Sequence, residues 1–287
     1  MSEFKYTLSA VAIMKYEEPY VAEWAAFHKV CGVEHFYIYD NNSESTMAEV
    51  LKPYIEEGTV SLIPMYGDVK MFEAYNAALA NYSKESKYIA FIDADEFIVP
   101  AIDKPIYQIV DELFDRFSDK WFYLNGLRPG GLGINWKVYG TSRHETRPEG
   151  LMTEAYTLRG ETEFNYHIKS IVNPRLVTKI SNPHFASYKP GCCCVSQKGS
   201  QISGPFFPDS SDYPLRINHY YYKSIEEFKF RIKRKKADVK ITEKELSALI
   251  TAQLAEAERY NKIRDTLAWK YCARVKEELR SKGYKIF

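Results

Sequence analysis

The sequence is poor in cysteine and has no long apolar run. Its 287 residues include five cysteines, three of them consecutive at 192–194, and no Cys-x-x-Cys pair. An odd count without paired spacing argues against a disulfide framework and favours a reducing compartment. Consecutive cysteines can ligate a metal, but no second Cys or His cluster has zinc-finger spacing, so we favour buried small side chains. No stretch of about 18 apolar residues is present, which argues against a membrane-spanning helix.

Targeting signals and repeats are also lacking. Glu3 and Lys5 interrupt the first twelve residues, which have neither the basic nor the apolar region of a secretory leader. We therefore expect a cytoplasmic protein. The chain has no internal repeat, and 45% hydrophobic with 27% charged residues is the balance of a globular chain rather than a disordered one. The length allows one large domain or two modest domains of about 150 residues each.

Net charge is close to zero over the whole chain but is divided unevenly along it. The total is +1, whereas residues 223–287 contain 18 basic and 10 acidic residues, a net charge of +8. We predict a basic helical segment here, with one apolar face formed by Ile225, Phe228, Ile232 and Val239. Its basic face is either simply solvated or contacts anionic lipid headgroups, which would place the protein peripherally at the inner face of a membrane. Nucleic acid is disfavoured as a partner because no binding motif accompanies the charge.

Apolar segments with strand and helix periodicity alternate along the first hundred residues. The predicted strands are 7–14, 35–39, 60–64 and 88–92, and the predicted helices between them are 20–30, 47–54 and 72–82. This alternation predicts an α/β fold with a mostly parallel sheet flanked by helices. After residue 100 we predict a helix at 106–117, a strand at 121–124, a flexible glycine loop at 130–133 and an irregular, β-rich region at 136–190.

The most informative local feature is the acidic segment Asp93-Ala94-Asp95-Glu96-Phe97. It follows a predicted buried strand and precedes further apolar residues, so its carboxylates need charge compensation. A divalent cation such as Mg²⁺ or Mn²⁺ supplies that compensation and keeps positions open for the phosphates of a nucleotide. Asp40 also ends a predicted strand, and ligands of such sheets bind at the carboxyl ends of strands. The alternatives are a solvated acidic turn and, for Asp40, a helix N-cap.

Asp93-Ala94-Asp95-Glu96-Phe97 resembles the D-x-D-E-F segment of glycosyltransferase family 92 and its bacterial relatives, which have a GT-A fold. The resemblance extends along nearly the whole chain. Tyr16 departs from the family pattern, because the family has Asn before the position of Glu17. The other segments that carry the resemblance are Glu17-Glu18-Pro19-Tyr20-Val21-Ala22-Glu23-Trp24, Tyr39-Asp40-Asn41-Asn42-Ser43, Trp136-Lys137-Val138-Tyr139-Gly140-Thr141-Ser142, Arg147-Pro148-Glu149-Gly150-Leu151, Lys169-Ser170-Ile171-Val172-Asn173-Pro174, Pro183-His184-Phe185 and Asn218-His219-Tyr220.

The resemblance implies an inverting, metal-dependent sugar transfer. A hexose, with galactose favoured, would move from a UDP-sugar to a hydroxyl of a glycan or glycolipid, with Mn²⁺ or Mg²⁺ as the cofactor. The resemblance implies that Asp93, Asp95 and His219 ligate the metal and that Glu17, Asp40 and Asp93 bind the donor. The alternative for His219 is a structural role among the neighbouring tyrosines.

An inverting transfer also needs a group that takes the proton of the acceptor hydroxyl. Glu154 lies where the family has a Glu before an aromatic segment, and it is the first candidate. Asp212, Glu145 and His184 are the other candidates. A structural ion pair with Arg159 is the alternative role for Glu154.

The predicted organisation is a GT-A domain over residues 1–222, followed by a basic helical extension over 223–287 that packs on it. Within the domain, the nucleotide-sugar part covers about 1–100 and the acceptor part about 101–222. Trp136 could stack on a sugar ring, and core packing is the alternative.

Two other functions remain open. An NDP-sugar nucleotidyltransferase normally has a glycine-rich, basic loop after its first strand, which Met14-Lys15-Tyr16-Glu17 does not supply. A catalytically silent protein that binds glycans or a membrane surface is the second. Turnover of a sugar nucleotide would separate it from an enzyme.

Overall fold

The computed structural model describes residues 4–42, 44, 46–118, 126–161, 166–208, 212–235 and 242–285, with the backbone alone at 234 and 235. Its strands are β1 Tyr6–Met14, β2 His35–Asp40, β3 Val60–Pro64, β4 Ser86–Phe91, β5 Glu96–Pro100, β6 Arg128–Val138, β7 Leu158–Arg159, β8 Ile168–Val172, β9 Val177–Ile180, β10 Ala186–Tyr188, β11 Cys192–Ser196, β12 Gln201–Ile202, β13 Leu215–His219 and β14 Ile263–Arg264. Its helices are α1 Glu18–Cys31, α2 Met47–Val50, α3 Lys52–Glu56, α4 Met71–Tyr82, α5 Ile106–Ser118, α6 Met152–Ala155, α7 Ile225–Lys235, α8 Glu243–Ala257 and α9 Trp269–Ser281.

The sheet is built outward from β1. Parallel pairing joins β1 to β2 on one side and to β4 on the other, and β3 continues the parallel set beyond β2. Next to β4, β8 runs antiparallel to both β4 and β6. The strand order is β12-β11-β6-β8-β4-β1-β2-β3, and β13 pairs with both β5 and β6.

Alternate residues of β1 face two separate hydrophobic cores. Ala10 and Ala12 pack in the core that contains Trp24 of α1, whereas Val11 packs in the core that contains Tyr75 of α4. Both faces of the strand are therefore buried, which explains its nearly continuous apolar sequence. The prediction of an α/β fold with a mostly parallel sheet flanked by helices is confirmed.

Most predicted elements lie within two residues of their observed bounds. The single helix predicted at 47–54 is wrong, because the structure divides it into α2 and α3. Pro53 lies in the first turn of α3, where its missing N–H leaves no helical hydrogen bond unmade. The strand predicted at 121–124 lies outside the described residues.

The flexible loop predicted at 130–133 is wrong, because these residues belong to β6 inside the sheet. The glycines permit close approach by neighbouring side chains. A Cβ on Gly131 would lie 2.1 Å from the Tyr188 hydroxyl, and a Cβ on Gly133 would lie 2.5 Å from Cδ1 of Ile202. Glycine in a strand interior often marks such an approach, and here it indicates packing rather than mobility.

The C-terminal segment packs against the first helix. The rings of Tyr271 in α9 and Phe27 in α1 have centroids 5.6 Å apart, and Lys29 Nζ lies 2.9 Å from Glu278 Oε1. Within the described ranges, no helix combines the length and the apolar character that a bilayer crossing requires.

Helix α7 shows the predicted amphipathic pattern over its described length. Phe228 and Ile232 are buried, whereas Lys229 and Lys233 are exposed. Val239, which was predicted on the apolar face, lies outside the described residues.

Candidate active site

A cavity of about 320 Å³ opens at the carboxyl ends of β1 and β4. The Asp93–Asp95 turn links β4 to the short strand β5, so the sheet itself places these carboxylates at the cavity. The functional candidates that line the cavity are Glu17, Asp93, Asp95, Trp136, His184, His219, Tyr221 and Arg231. The site therefore draws on residues from the beginning, the middle and the end of the chain.

The Asp95 carboxylate is buried and lies between two basic side chains. Arg231 Nη2 donates to Asp95 Oδ2 at 2.5 Å, and His219 Nε2 lies 3.5 Å from Asp95 Oδ1. Burial opposes ionisation, but His219 and Arg231 outweigh it and hold the pKa of Asp95 well below its usual range. The backbone is fixed as well, since Tyr220 N donates to the Asp95 carbonyl at 2.8 Å. Asp95 is thus a fixed negative charge facing the cavity.

The Asp93 carboxylate is compensated by a buried lysine. Lys169 Nζ lies 2.8 Å from Asp93 Oδ2, and the Tyr75 hydroxyl donates to Asp93 Oδ1 at 3.1 Å. Glu96 lies beneath this pair, with its Oε2 3.4 Å from the same ammonium group. Complete burial raises the pKa of Glu96 above its usual range despite the lysine. Burial opposes the charge of Lys169, but Asp93 and Glu96 outweigh it and raise the lysine pKa.

Two neighbouring residues of α1 hold the acidic turn and the first turn of α6. The Trp24 indole N–H donates to the carbonyls of Asp93 and Glu96, at 3.2 and 3.0 Å. Glu23 is buried and accepts hydrogen bonds from the backbone N–H groups of Met152 and Thr153, at 2.6 and 2.9 Å. The Glu-Trp pair therefore supports the site without lining it.

Trp136 lies between three histidines at one wall of the cavity. Its ring centroid is 4.1 Å from that of His219, 4.8 Å from that of His184 and 4.9 Å from that of His167. The side chain is 9% exposed. Most of the ring is therefore packed, as the core-packing alternative predicts, while one part borders the cavity; stacking on a sugar ring stays a prediction.

The predicted metal ligands are only partly assembled. Asp95 and His219 are neighbours, and Nδ1 of His219 is buried without a hydrogen-bond partner in the described part of the chain. Asp93 is engaged by Lys169, and the described residues contain no group of three His, Cys, Asp or Glu side chains that could hold a metal. Asp95 supplies one carboxylate, and Mg²⁺ is usually bound through one or two carboxylates with substrate phosphates completing its ligands. His219 adds a nitrogen donor beside it.

The predicted donor-binding residues occupy different positions along the same sheet edge. Glu17 lines the cavity, and its Oε2 accepts from Lys223 Nζ at 2.7 Å. Asp40 ends β2, in register with Met14 of β1, and its Oδ1 accepts from Asn42 N at 3.1 Å. Met14 lines the cavity, whereas Asp40 lies one strand further out. Asp40 is buried, so its predicted contact with the donor stays a prediction.

The structure does not bring Glu154 to the cavity. Glu154 lies on α6, where its Oε2 is 2.5 Å from Lys276 Nζ of α9. This placement favours the ion-pair role, with Lys276 in place of the expected Arg159, which pairs with Asp265 instead. Two of the other candidate bases, Asp212 and Glu145, do not line the cavity either, and Asp212 pairs with Lys137 at 2.6 Å. The third, His184, does line it.

Sequence reasoning missed three cations at the site. Lys169 belongs to a segment that carries the family resemblance, but an apolar strand gives no sign that a lysine within it faces two distant carboxylates. Arg231 had a usable signal, because it follows Phe228 by three positions and so interrupts the apolar face of α7. Lys223 has positive φ, 52°, which the sequence does not reveal for a lysine.

Comparison with known proteins identifies the family. The sequence profile of glycosyltransferase family 92 matches residues 5–249. A glycosyltransferase family 92 protein of Arabidopsis thaliana is 24% identical over 243 residues, which cover 82% of this chain and 39% of that protein. One of Oryza sativa subsp. japonica is 25% identical over 230 residues, which cover 78% of this chain and 35% of that protein. The chain thus spans less than two thirds of the length of these relatives.

Among solved structures, S. aureus TarS 1-349 in complex with UDP has a TM-score of 0.39 and 12% sequence identity, over 87% of this chain and 70% of that chain. The profile match, in contrast, covers most of the 287 residues and includes the acidic turn, Lys169, His184, His219 and Arg231. On that match, the chain belongs to glycosyltransferase family 92.

Proposed function

We propose that the protein transfers a hexose from a UDP-sugar to a hydroxyl of a glycan or glycolipid, with inversion at the anomeric carbon and galactose as the favoured sugar. The observation that carries the proposal is the cavity at the carboxyl edge of the sheet, in which Asp93 and Asp95 meet cationic side chains from distant parts of the chain. Family membership supports glycosyl transfer as the class of reaction. The identity of the donor rests on the resemblance and on the chemistry of the site.

The electrostatics of the site suit a diphosphate leaving group. Breaking the bond between the sugar and the diphosphate develops negative charge on a phosphate oxygen, and preorganised positive charge at that position lowers the barrier. Arg231 lies in the cavity beside Asp95 and is pre-positioned for this role. Its guanidinium can donate to a phosphate in the same bidentate manner as to a carboxylate.

We further propose that Asp95 and His219 hold Mn²⁺ or Mg²⁺ when the donor binds. The cation, when bound, supplies positive charge that stabilises the leaving diphosphate. In the structure Arg231 donates to Asp95 Oδ2, which leaves Oδ1, the oxygen 3.5 Å from His219 Nε2, as the one to which the cation would bind. Asp93, held by Lys169 and Tyr75, remains available to a ribose hydroxyl as a hydrogen-bond acceptor.

The proposed function is tested by turnover of sugar nucleotides. The purified chain is incubated with UDP-galactose, UDP-glucose and UDP-N-acetylglucosamine, with Mn²⁺ or with EDTA, and release of UDP is measured. We expect slow, cation-dependent release, since water replaces the acceptor in its absence, with UDP-galactose the fastest donor. No release and no binding of UDP under any condition would refute the proposal and favour a silent glycan-binding or membrane-surface protein.

A further inference from the structure

Of the four candidate bases named from the sequence, His184 is the one that lines the cavity. It lies in the connection between β9 and β10, and its side chain lines the same cavity as Asp93 and Asp95. With Glu154 on α6 and paired to Lys276, the site needs another group to accept the proton of the acceptor hydroxyl.

Hydrogen bonds fix both the backbone and the ring of His184. His184 N donates to Asn182 Oδ1 at 2.8 Å, and Ser170 Oγ donates to the His184 carbonyl at 2.9 Å. Nδ1 of the ring lies 3.2 Å from the carbonyl oxygen of Ile168. Because a carbonyl oxygen only accepts, Nδ1 carries the proton in the neutral ring and Nε2 keeps its lone pair.

The carboxylates that line the cavity are already paired with cations. Asp93 forms an ion pair with Lys169, Asp95 accepts from Arg231, and Glu17 accepts from Lys223. Nε2 of His184, in contrast, makes no hydrogen bond to any described residue. It is therefore an acceptor atom of the cavity that is not committed to a protein cation. Nδ1 of His219 also lacks a partner among the described residues, but it is buried.

A continuous row of contacting side chains connects His184 with Arg231, the arginine proposed to face the leaving group. Arg231 contacts Asp95 at 2.5 Å, and Asp95 lies 3.5 Å from His219. The ring of Trp136 follows, 4.1 Å from that of His219 and 4.8 Å from that of His184. Arg231 and His184 thus form the two ends of this row of contacts.

We propose that Nε2 of His184 is the proton acceptor of the transfer, an inference that rests on the proposed function. The acceptor oxygen forms its bond to the anomeric carbon while its proton passes to Nε2. The bond from that carbon to the phosphate oxygen breaks, and its electron pair leaves with the diphosphate. The resulting imidazolium returns the proton to solvent, which restores the neutral ring.

The surroundings of His184 keep its ring neutral before the reaction. Burial is the main cause that lowers its pKa to about 4, and Lys169 and His167 lower it further, whereas Asp93 and the Ile168 carbonyl raise it. The lone pair on Nε2 is therefore available throughout the neutral pH range. Protonation of the ring in the free protein is expected to stop the reaction only near pH 4.

The inference is tested with His184→Asn and His184→Gly, measuring hydrolysis of UDP-galactose with Mn²⁺ so that water serves as the acceptor. Asn can keep the hydrogen bond to the Ile168 carbonyl but has no basic nitrogen. We expect the maximal rate to fall by roughly 100-fold or more in both variants, with the dissociation constant for UDP unchanged. Added imidazole should partly restore the glycine variant, which a structural role would not allow. His35→Gln is the matched control, since burial lowers the pKa of His35 to about 4 as well, but His35 packs against Tyr6, away from the cavity.

The possible outcomes separate this inference from the proposed function. If the unmodified chain neither binds UDP nor releases it from any donor, the proposed function fails and His184 loses its role with it. If the unmodified chain turns over its donor and His184→Asn is equally fast, the proposed function stands and this inference is wrong. A slow glycine variant that imidazole does not restore, or a loss of UDP binding equal to the loss of rate, would also overturn it.

Discussion

Replacing the buried Lys169 by Met tests how strongly the acidic turn depends on its internal cation. Lys169 is 1% exposed, and its ammonium group faces Asp93 at 2.8 Å and the fully buried Glu96 at 3.4 Å. Met preserves most of the side-chain volume but leaves a buried carboxylate without its cation. Removing one partner of a buried ion pair costs about 3–5 kcal/mol, so we expect a loss of that size in the free energy of unfolding at neutral pH.

Lys137→Met is the matched control for this substitution. Lys137 is as deeply buried as Lys169, at 3% exposed, but the side chain of its partner Asp212 is 42% exposed and can return to water when the lysine is removed. We expect a smaller loss, about 1 kcal/mol. Urea denaturation of both variants and the unmodified chain gives the two differences under identical conditions.

The pH dependence of the Lys169→Met variant provides a second, independent readout. The pKa of Glu96 is raised by burial in the folded chain. A carboxyl group of this kind stabilises the fold while protonated, and that stability is lost as pH rises from its unfolded pKa through its folded pKa. Without Lys169 the folded pKa rises further, so the variant should lose more stability at about pH 8 than at about pH 5. Equal losses of unfolding free energy in Lys169→Met and Lys137→Met would refute this explanation of the turn. A loss in Lys169→Met that does not change with pH would refute it as well.

Three further predictions concern other parts of the chain. Glu23→Ala removes the acceptor of two backbone amides and should lower the free energy of unfolding by about 3 kcal/mol in urea denaturation; a loss under about 1 kcal/mol would contradict its supporting role. Glu154→Gln should leave UDP-galactose hydrolysis within about twofold of the unmodified rate, because its partner is a lysine of α9 outside the cavity, and a large loss of rate would restore it as the base. If α7 contacts anionic lipid, the double variant Lys229→Glu with Lys233→Glu should bind phosphatidylserine vesicles more than tenfold more weakly in a sedimentation assay, since each lysine removed costs about 1 kcal/mol of binding free energy. Unchanged binding would favour a solvated basic face.

The sequence predicts the first hundred residues of the fold well because local patterns govern that part. β1 and β4 are apolar runs that end in polar residues, and α1 has helical spacing around Trp24, so each element is recognisable without its neighbours. The acidic turn at Asp93–Asp95 was placed at the sheet edge for the same reason. The split at Pro53 was missed because the apolar spacing continues across it.

The remainder of the site depends on contacts between distant segments. Lys169 and Arg231 reach the acidic turn from 76 and 136 positions away along the chain, counted to Asp93 and Asp95 respectively. No local pattern encodes such pairings. The motif that points to Glu154 as the base likewise does not reveal that its side chain faces α9. Gly131 and Gly133 show the same limit of prediction from local patterns. A larger residue at either position would collide with Tyr188 or Ile202, and the sequence does not show that these side chains lie beside the glycines.

The proposed function depends most on the binding of a divalent cation by Asp95 together with the diphosphate of UDP. Calorimetric titration of UDP into the unmodified chain and into Asp95→Asn, each with Mn²⁺ and with EDTA, tests it without any need for the acceptor. We predict that Mn²⁺ tightens UDP binding by the unmodified chain by roughly tenfold or more, and that this difference disappears in Asp95→Asn. UDP binding that is indifferent to Mn²⁺ in the unmodified chain, or equally dependent on Mn²⁺ in the variant, would contradict this proposal.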